Sequence, residues 1–349
     1  MKNATPAEQR LPRLPSETFD LSAAAGSGGL PQMVPGHVGG KAVSAADVAT
    51  DPGIGTQNYG CAPTPAPAGC PPTNLNTVFH YSDYRLDPTV VPNYPYRTSG
   101  YFLHTFNGSS FFFCTATLIS RSILVTAGHC VYDTGLNQFI TAGTFFPACV
   151  NCNGGGTRVA PYGSATARFV QTTSQWKAAT PATALDQGFD VAVVTLNKRT
   201  SPTVAEMGTI TGFLGFCLNN CLQPFWQLSQ IGFPGNYDGG NRMNYGEHIE
   251  KSDTRDYQYG SGMQGGSSGG PHVSNIGTVV DSASNKGQFA SRNSVFAVTS
   301  WGYVDQTMKI QGSSPLSGPG NINNFKSLFN QACTNARAAH GAASCALLP

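Results

Sequence analysis

Phe111-Phe112-Phe113-Cys114-Thr115-Ala116-Thr117-Leu118-Ile119 is followed by the polar triplet Ser120-Arg121-Ser122 and then by Ile123-Leu124-Val125-Thr126-Ala127. Two apolar, β-branched runs around a short polar turn predict a β-hairpin. Further short apolar runs follow at Ala167–Val170, Val191–Leu196, Trp226–Phe233, Thr278–Val280 and Val295–Trp301, separated by Gly, Asn, Pro and Ser. Many short strands without alternating helices predict an all-β sandwich or barrel. One helix is expected near the end. Phe325, Leu328, Phe329, Ala332, Cys333 and Ala336 recur on one face of a 3.6-residue period, with Asn323 or Asn324 as its cap.

The rest of the composition narrows the class. The chain has 349 residues, 40% hydrophobic and 11% charged, with 20 Lys+Arg against 18 Asp+Glu and a formal charge of +2. That balance gives no electrostatic footprint for nucleic acid or an anionic membrane, and no apolar run is long enough to span a bilayer. Residues 1–72 stand apart. They hold 21 of the chain's glycines and prolines, of which it has 41 and 24, but only Phe19 and Tyr59 among its aromatics. Such a stretch buries little, so it is expected to be a tail or pro-segment. No apolar leader opens the chain.

Ten cysteines fall into local pairs: Cys61/Cys70, Cys114/Cys130, Cys149/Cys152, Cys217/Cys221 and Cys333/Cys345. Pairing of neighbours is the simplest scheme, and five disulfides would place the chain in an oxidising, extracellular setting. The spacing of Cys149 and Cys152, and with it that of Cys217 and Cys221, also suits zinc, but the other six cysteines form no further ligand knuckles, and no metal is expected.

Three segments carry chemistry. Thr126-Ala127-Gly128-His129-Cys130 sets a His directly after a strand. Phe189-Asp190-Val191-Ala192-Val193-Val194 sets an Asp before an apolar strand, which favours Asp190 over Asp186. Gly265-Gly266-Ser267-Ser268-Gly269-Gly270-Pro271 sets a Ser in a glycine-rich turn, with Ser268 preferred over Ser267 because Gly-Gly-Pro follows it. A Ser hydroxyl is a weak nucleophile unless a neighbouring base takes its proton, and His does so because its pKa lies near working pH. The overlapping Gly-x-Ser-x-Gly pattern would suit an α/β-hydrolase, but Gly269-Gly270-Pro271 cannot readily start the helix that fold requires.

In order and in local sequence these segments resemble the chymotrypsin-like serine proteases, over roughly residues 75–345. The resemblance implies two packed antiparallel β-barrels with a C-terminal helix: a first barrel over 73–205 bearing His129 and Asp190, a second over 206–319 bearing Ser268 and the substrate pocket, and a helix and tail over 320–349. It implies a Ser268-His129-Asp190 triad, an oxyanion hole from the N–H groups of Gly266 and Ser268, and a disulfide tying Cys114 to Cys130. It implies a substrate edge at Ser300-Trp301-Gly302, along which an extended peptide adds as a strand.

Tyr257-Gln258-Tyr259 and Gly232-Phe233-Pro234-Gly235 resemble the bacterial glutamyl endopeptidase branch. That branch's pocket His is Thr299 here and its pocket Thr is Met263, while Gly262 replaces the Asp of trypsin-like members. An uncharged side chain is therefore expected in the pocket, because a buried Glu without a cation is costly. Ser267 stands where many relatives have the Asp that pairs with a newly released N-terminus, so no activation through that ion pair is expected. The whole reads as a secreted, monomeric serine endopeptidase acting on proteins or peptides without a cofactor. A binding protein on the same fold is the alternative.

Overall fold

The computed structural model describes residues 32–34, 58–59, 80–154, 156–178, 188–219, 225–252, 256–277, 293–302, 309–317 and 322–348, all within the unit Pro31–Pro349. Cys61, Cys70, Asp186, Cys221 and the run at 278–280 lie outside them.

Three short strands come first: β1 (Gln32–Val34), β2 (Asn58–Tyr59) and β3 (Tyr81–Arg85). Next come β4 (Ser99–Thr105), β5 (Phe111–Leu118) and β6 (Ile123–Thr126), a small hairpin of β7 (Tyr132–Asp133) and β8 (Gln138–Phe139), then β9 (Ala142–Pro147), β10 (Ala165–Thr172) and β11 (Ala192–Leu196). The expected hairpin is β5–β6, with Thr117 opposite Val125 and Leu118 opposite Leu124. Strands β10-β11-β6-β5-β4-β9 close into a barrel.

The second half contributes β12 (Gly215–Asn219), β13 (Phe225–Gly232), β14 (Asn244–Ser252), β15 (Tyr257–Gly260), β16 (Pro271–Ser274), β17 (Ser294–Gly302) and β18 (Ile310–Pro315). Antiparallel pairings run β17–β16–β13–β14–β15–β18 and return to β17, closing a second ring of strands. β12 adds to β17 in parallel, and β1 adds to β12.

Two boundaries differ from the sequence reading. Tyr81–Arg85, placed there with the first barrel, instead pairs with β14 of the second ring, and β2 pairs with β3. Backbone pairing needs no apolar side chains, so a polar strand such as Tyr-Ser-Asp-Tyr-Arg carries little signal.

The apolar runs are continuous because both faces of the shared strands are covered. Along β11, Ala192, Val194 and Leu196 face the barrel core, while Val193 joins a second cluster with Val125, Phe216, Val295 and the C-terminal helix. That helix, α3 (Ile322–His340), follows two one-turn helices, α1 (Ser174–Ala178) and α2 (Met207–Thr211). All six residues of its expected apolar face are buried. Phe325 and Phe329 pack on Phe216 with ring centroids 5.6 and 5.0 Å away. The helix begins at Ile322, so Asn323 and Asn324 lie within its first turn and neither is its N-cap. Disulfides join Cys114 to Cys130, Cys149 to Cys152 and Cys333 to Cys345, and Cys217 is also disulfide-bonded. The Cys149–Cys152 bond removes those sulfurs from metal ligation.

Candidate active site

Strand register brings His129 to Asp190. Ala192 pairs with Thr126, and from that rung β6 runs on into the 3₁₀ turn Gly128–Cys130 while Asp190 lies just before β11. The Asp190 carboxylate is fully buried. Its Oδ2 accepts from His129 Nδ1 at 2.7 Å and its Oδ1 accepts from the His129 backbone N–H at 2.8 Å. The Ser300 hydroxyl donates to the same Oδ2, also at 2.7 Å. A buried carboxylate is retained as a charge only with such donors. His129 keeps about a third of its side chain exposed and lies 6.2 Å from the Trp176 ring, centroid to centroid. Burial works to lower its pKa, but the charge and hydrogen bond of Asp190 outweigh it, so the imidazole lies above its ordinary value.

The serine turn is gripped by the first barrel. Thr115 of β5 donates its N–H to the Ser268 carbonyl and its hydroxyl to the Gly266 carbonyl, both at 2.8 Å, and accepts from the Phe233 N–H at 2.9 Å. The Cys130 sulfur, one residue from His129, lies 3.9 Å from the Ser268 carbonyl. Gly266 has φ +98°, and a Cβ there would meet the Phe233 carbonyl at 2.5 Å, so only glycine fits. Among the described residues no hydrogen bond engages the N–H of Gly266 or of Ser268, or joins the Ser268 hydroxyl to His129. Such contacts are often long before substrate binds. Ser267, by contrast, is buried, and its hydroxyl donates to the Gln264 carbonyl at 2.7 Å.

Two cavities meet at this point. One, of about 330 Å³, is lined by Ser268 together with Gly262, Met263, Thr299, Ser300, Trp301 and Gly302, the complete set expected for the substrate pocket and edge. The other contains His129 and Trp176 and shares Ser300, Trp301 and Gly302 with the first. The structure thus places Ser268 and His129 in two cavities that share Ser300, Trp301 and Gly302, with Asp190 buried behind the His129 ring. β16 pairs with β17 as far as Val298, and Thr299 continues the contact by donating its N–H to the Gly270 carbonyl and accepting from the Gly269 N–H.

The pocket also holds residues that sequence reading missed. Lys309 and Gln311 line it, and no acidic residue does so among the described residues. The expectation of a pocket without a cation is therefore corrected: Lys309 precedes β18 and reaches the wall only through the β15–β18 pairing. Gln311 is fixed by donating to the Met263 carbonyl at 2.8 Å. Behind Thr299 lies a buried chain. The Thr299 hydroxyl is 3.0 Å from His272 Nε2, and His272 Nδ1 contacts the Glu250 carboxylate, which lies 3.2 Å from His248 Nε2. Burial lowers the His248 pKa to about 4. For Glu250 burial works upward, but the two imidazoles outweigh it and hold the carboxyl at about 2. His248 and His272 are thus structural groups beneath the pocket wall.

No protein-family model matches the chain. The solved structure of protease Anisep from Arthrobacter nicotinovorans matches 68% of it and 95% of its own chain, at TM-score 0.52 and 22% identity. A Glu endopeptidase structure matches 72% and 95%, at TM-score 0.51 and 19% identity. The chain has the chymotrypsin-like serine protease fold. In sequence, this chymotrypsin-like chain is 29% identical over 190 residues to the glutamyl endopeptidase of Bacillus licheniformis, covering 54% of this chain and 52% of that one. It spans about half the length of the curated relatives it matches. No helix among its described residues is long and apolar enough to cross a membrane.

Proposed function

We propose that this chain is a secreted serine endopeptidase that cuts protein or peptide substrates after an acidic side chain. Ser268 is the nucleophile, His129 the general base and then acid, and Asp190 the carboxylate that fixes the ring. An extended substrate adds as a strand beside Ser300 and Gly302 and drops one side chain into the pocket. His129 Nε2 takes the Ser268 proton as the hydroxyl attacks the carbonyl carbon. The resulting oxyanion is received by the N–H groups of Gly266 and Ser268. The imidazolium returns the proton to the leaving amine, and water repeats the cycle on the acyl-enzyme. The single observation that carries this reading is the fully buried Asp190 carboxylate bound to both His129 Nδ1 and the Ser300 hydroxyl. An isolated buried charge would otherwise be costly. Lys309 supports the acidic preference, supplying the counter-charge that a buried Glu side chain needs. The disulfides support an extracellular setting.

A fluorophosphonate followed by peptide mapping tests the reading. Stoichiometric labelling at Ser268, lost in Ser268→Ala and His129→Ala, is expected. A folded, oxidised sample that takes no label would favour the non-catalytic binding protein.

A further inference from the structure

The space that a side chain at position 262 would fill is occupied from elsewhere in the chain. A Cβ built on Gly262 would lie 3.0 Å from Asp83 Oδ2 and would collide with the Tyr237 hydroxyl. Asp83 belongs to β3, opposite Gly246 of β14, and a Cβ at 246 would meet Asp83 Oδ1 at 2.6 Å. The bare Gly246 thus lets the carboxylate cross its own strand pair toward the pocket. There Oδ2 accepts from the Gly262 N–H at 2.5 Å and from the Tyr237 hydroxyl, while the buried Oδ1 has no hydrogen-bond partner. Asp83 is 1% exposed, directly behind a residue that lines the pocket, and its charge interacts with that of Lys309.

We propose that Asp83 is a specificity-determining residue: standing where a residue-262 side chain would be, its carboxylate competes with an acidic substrate side chain for Lys309 and so sets how strongly the pocket prefers Glu to Gln.

The inference rests on the endopeptidase reading above. The groups facing Asp83 are Tyr81 on its own strand, Tyr237, Tyr259 of β15 and Lys309. Burial pushes the Asp83 carboxyl up to about 7, against the opposing pull of the Gly262 N–H, the Tyr237 hydroxyl, Lys309 and the Met263 N–H. Below that pH the carboxyl is neutral and Lys309 is available to a substrate Glu. Above it the floor carries its own anion and the preference for Glu falls.

The test is kcat/KM for two peptides differing only in Glu or Gln at the cleaved residue, from about pH 6 to about pH 9. The ratio cancels the His129 titration, which both peptides share. In the wild type the Glu/Gln ratio is expected to fall as pH rises through about 7. In Asp83→Asn it should lose that dependence and stand about tenfold higher at the alkaline end. A purely structural role would lower both rates together and leave the ratio unmoved, which overturns the assignment. Should Asp83→Asn not fold, Tyr237→Phe removes one donor to the carboxylate and should move the midpoint of the ratio to higher pH. An unmoved midpoint is equally fatal. A wild type that fluorophosphonate labels at Ser268 but whose ratio is flat with pH overturns the pocket assignment alone. Absence of labelling overturns the endopeptidase reading, and this inference with it.

Discussion

Asp190 accepts from the His129 ring, the His129 backbone and the Ser300 hydroxyl, so the ring's tautomer is set by a group that cannot itself rotate away. Because the net effect of Asp190 is to raise the His129 pKa above its ordinary 6.5, the neutral base is populated only as pH rises past that raised value. The acid limb of kcat/KM is therefore expected to have its midpoint above 6.5, and pre-steady-state labelling rates against pH would measure it. The linked stability has the opposite sense. The pairing with Asp190 stabilises the fold fully below the unfolded His value and is lost as pH rises through the folded one. Removing the Ser300 hydroxyl takes one donor from a charged acceptor, an interaction worth about 1.5–3 kcal/mol. Ser300→Ala should reduce kcat more than KM, since Ser300 touches the triad and the pocket preference lies elsewhere. At this scale His129, Asp190 and the turn of Ser268 were legible as candidates because each sits in a local motif. Asp83 and Lys309 were not, since each reaches the pocket through pairing with residues distant in sequence.

The elements divide in the same way. The β5–β6 hairpin and the apolar face of α3 were legible because their periodicities are local and their buried faces are wide. The start of α3 was misplaced by taking Asn323 or Asn324 as its cap; the helix already runs through both. β3 carried no readable pattern, since its burial comes from β14 and not from its own side chains. The packing of α3 on Phe216 makes a quantitative claim. Phe329 is 3% exposed between that ring and the second core cluster, so Phe329→Ala should cost about 3–5 kcal/mol of unfolding free energy. Denaturant midpoints would measure the loss, while Ser268 labelling in native buffer should be retained.

For the molecule as a whole, the site depends on the first barrel holding the serine turn of the second ring. Thr115 makes two of those contacts and accepts a third hydrogen bond from the Phe233 N–H, and Cys114 beside it is tied to Cys130 beside His129. Replacing both cysteines by Ala opens a loop of sequence separation 16. It should lower stability by about 3 kcal/mol. The fluorophosphonate reaction should slow as well, because the same link positions the base against the nucleophile's turn. Thermal denaturation and labelling kinetics on the same variant would separate the two effects.

The crossing of Tyr81–Arg85 into the second ring has a consequence for assembly. The carboxylate that floors the pocket leaves the ribosome well before the strand and the turn that shelter it. Until Gly246 and Gly262 have been made and folded, that acid stays in water, where ionisation is favoured. Completion of the recognition cleft thus waits on chain made long after Asp83, and a truncated product ending before Gly262 would have the first barrel but no recognition cleft to close.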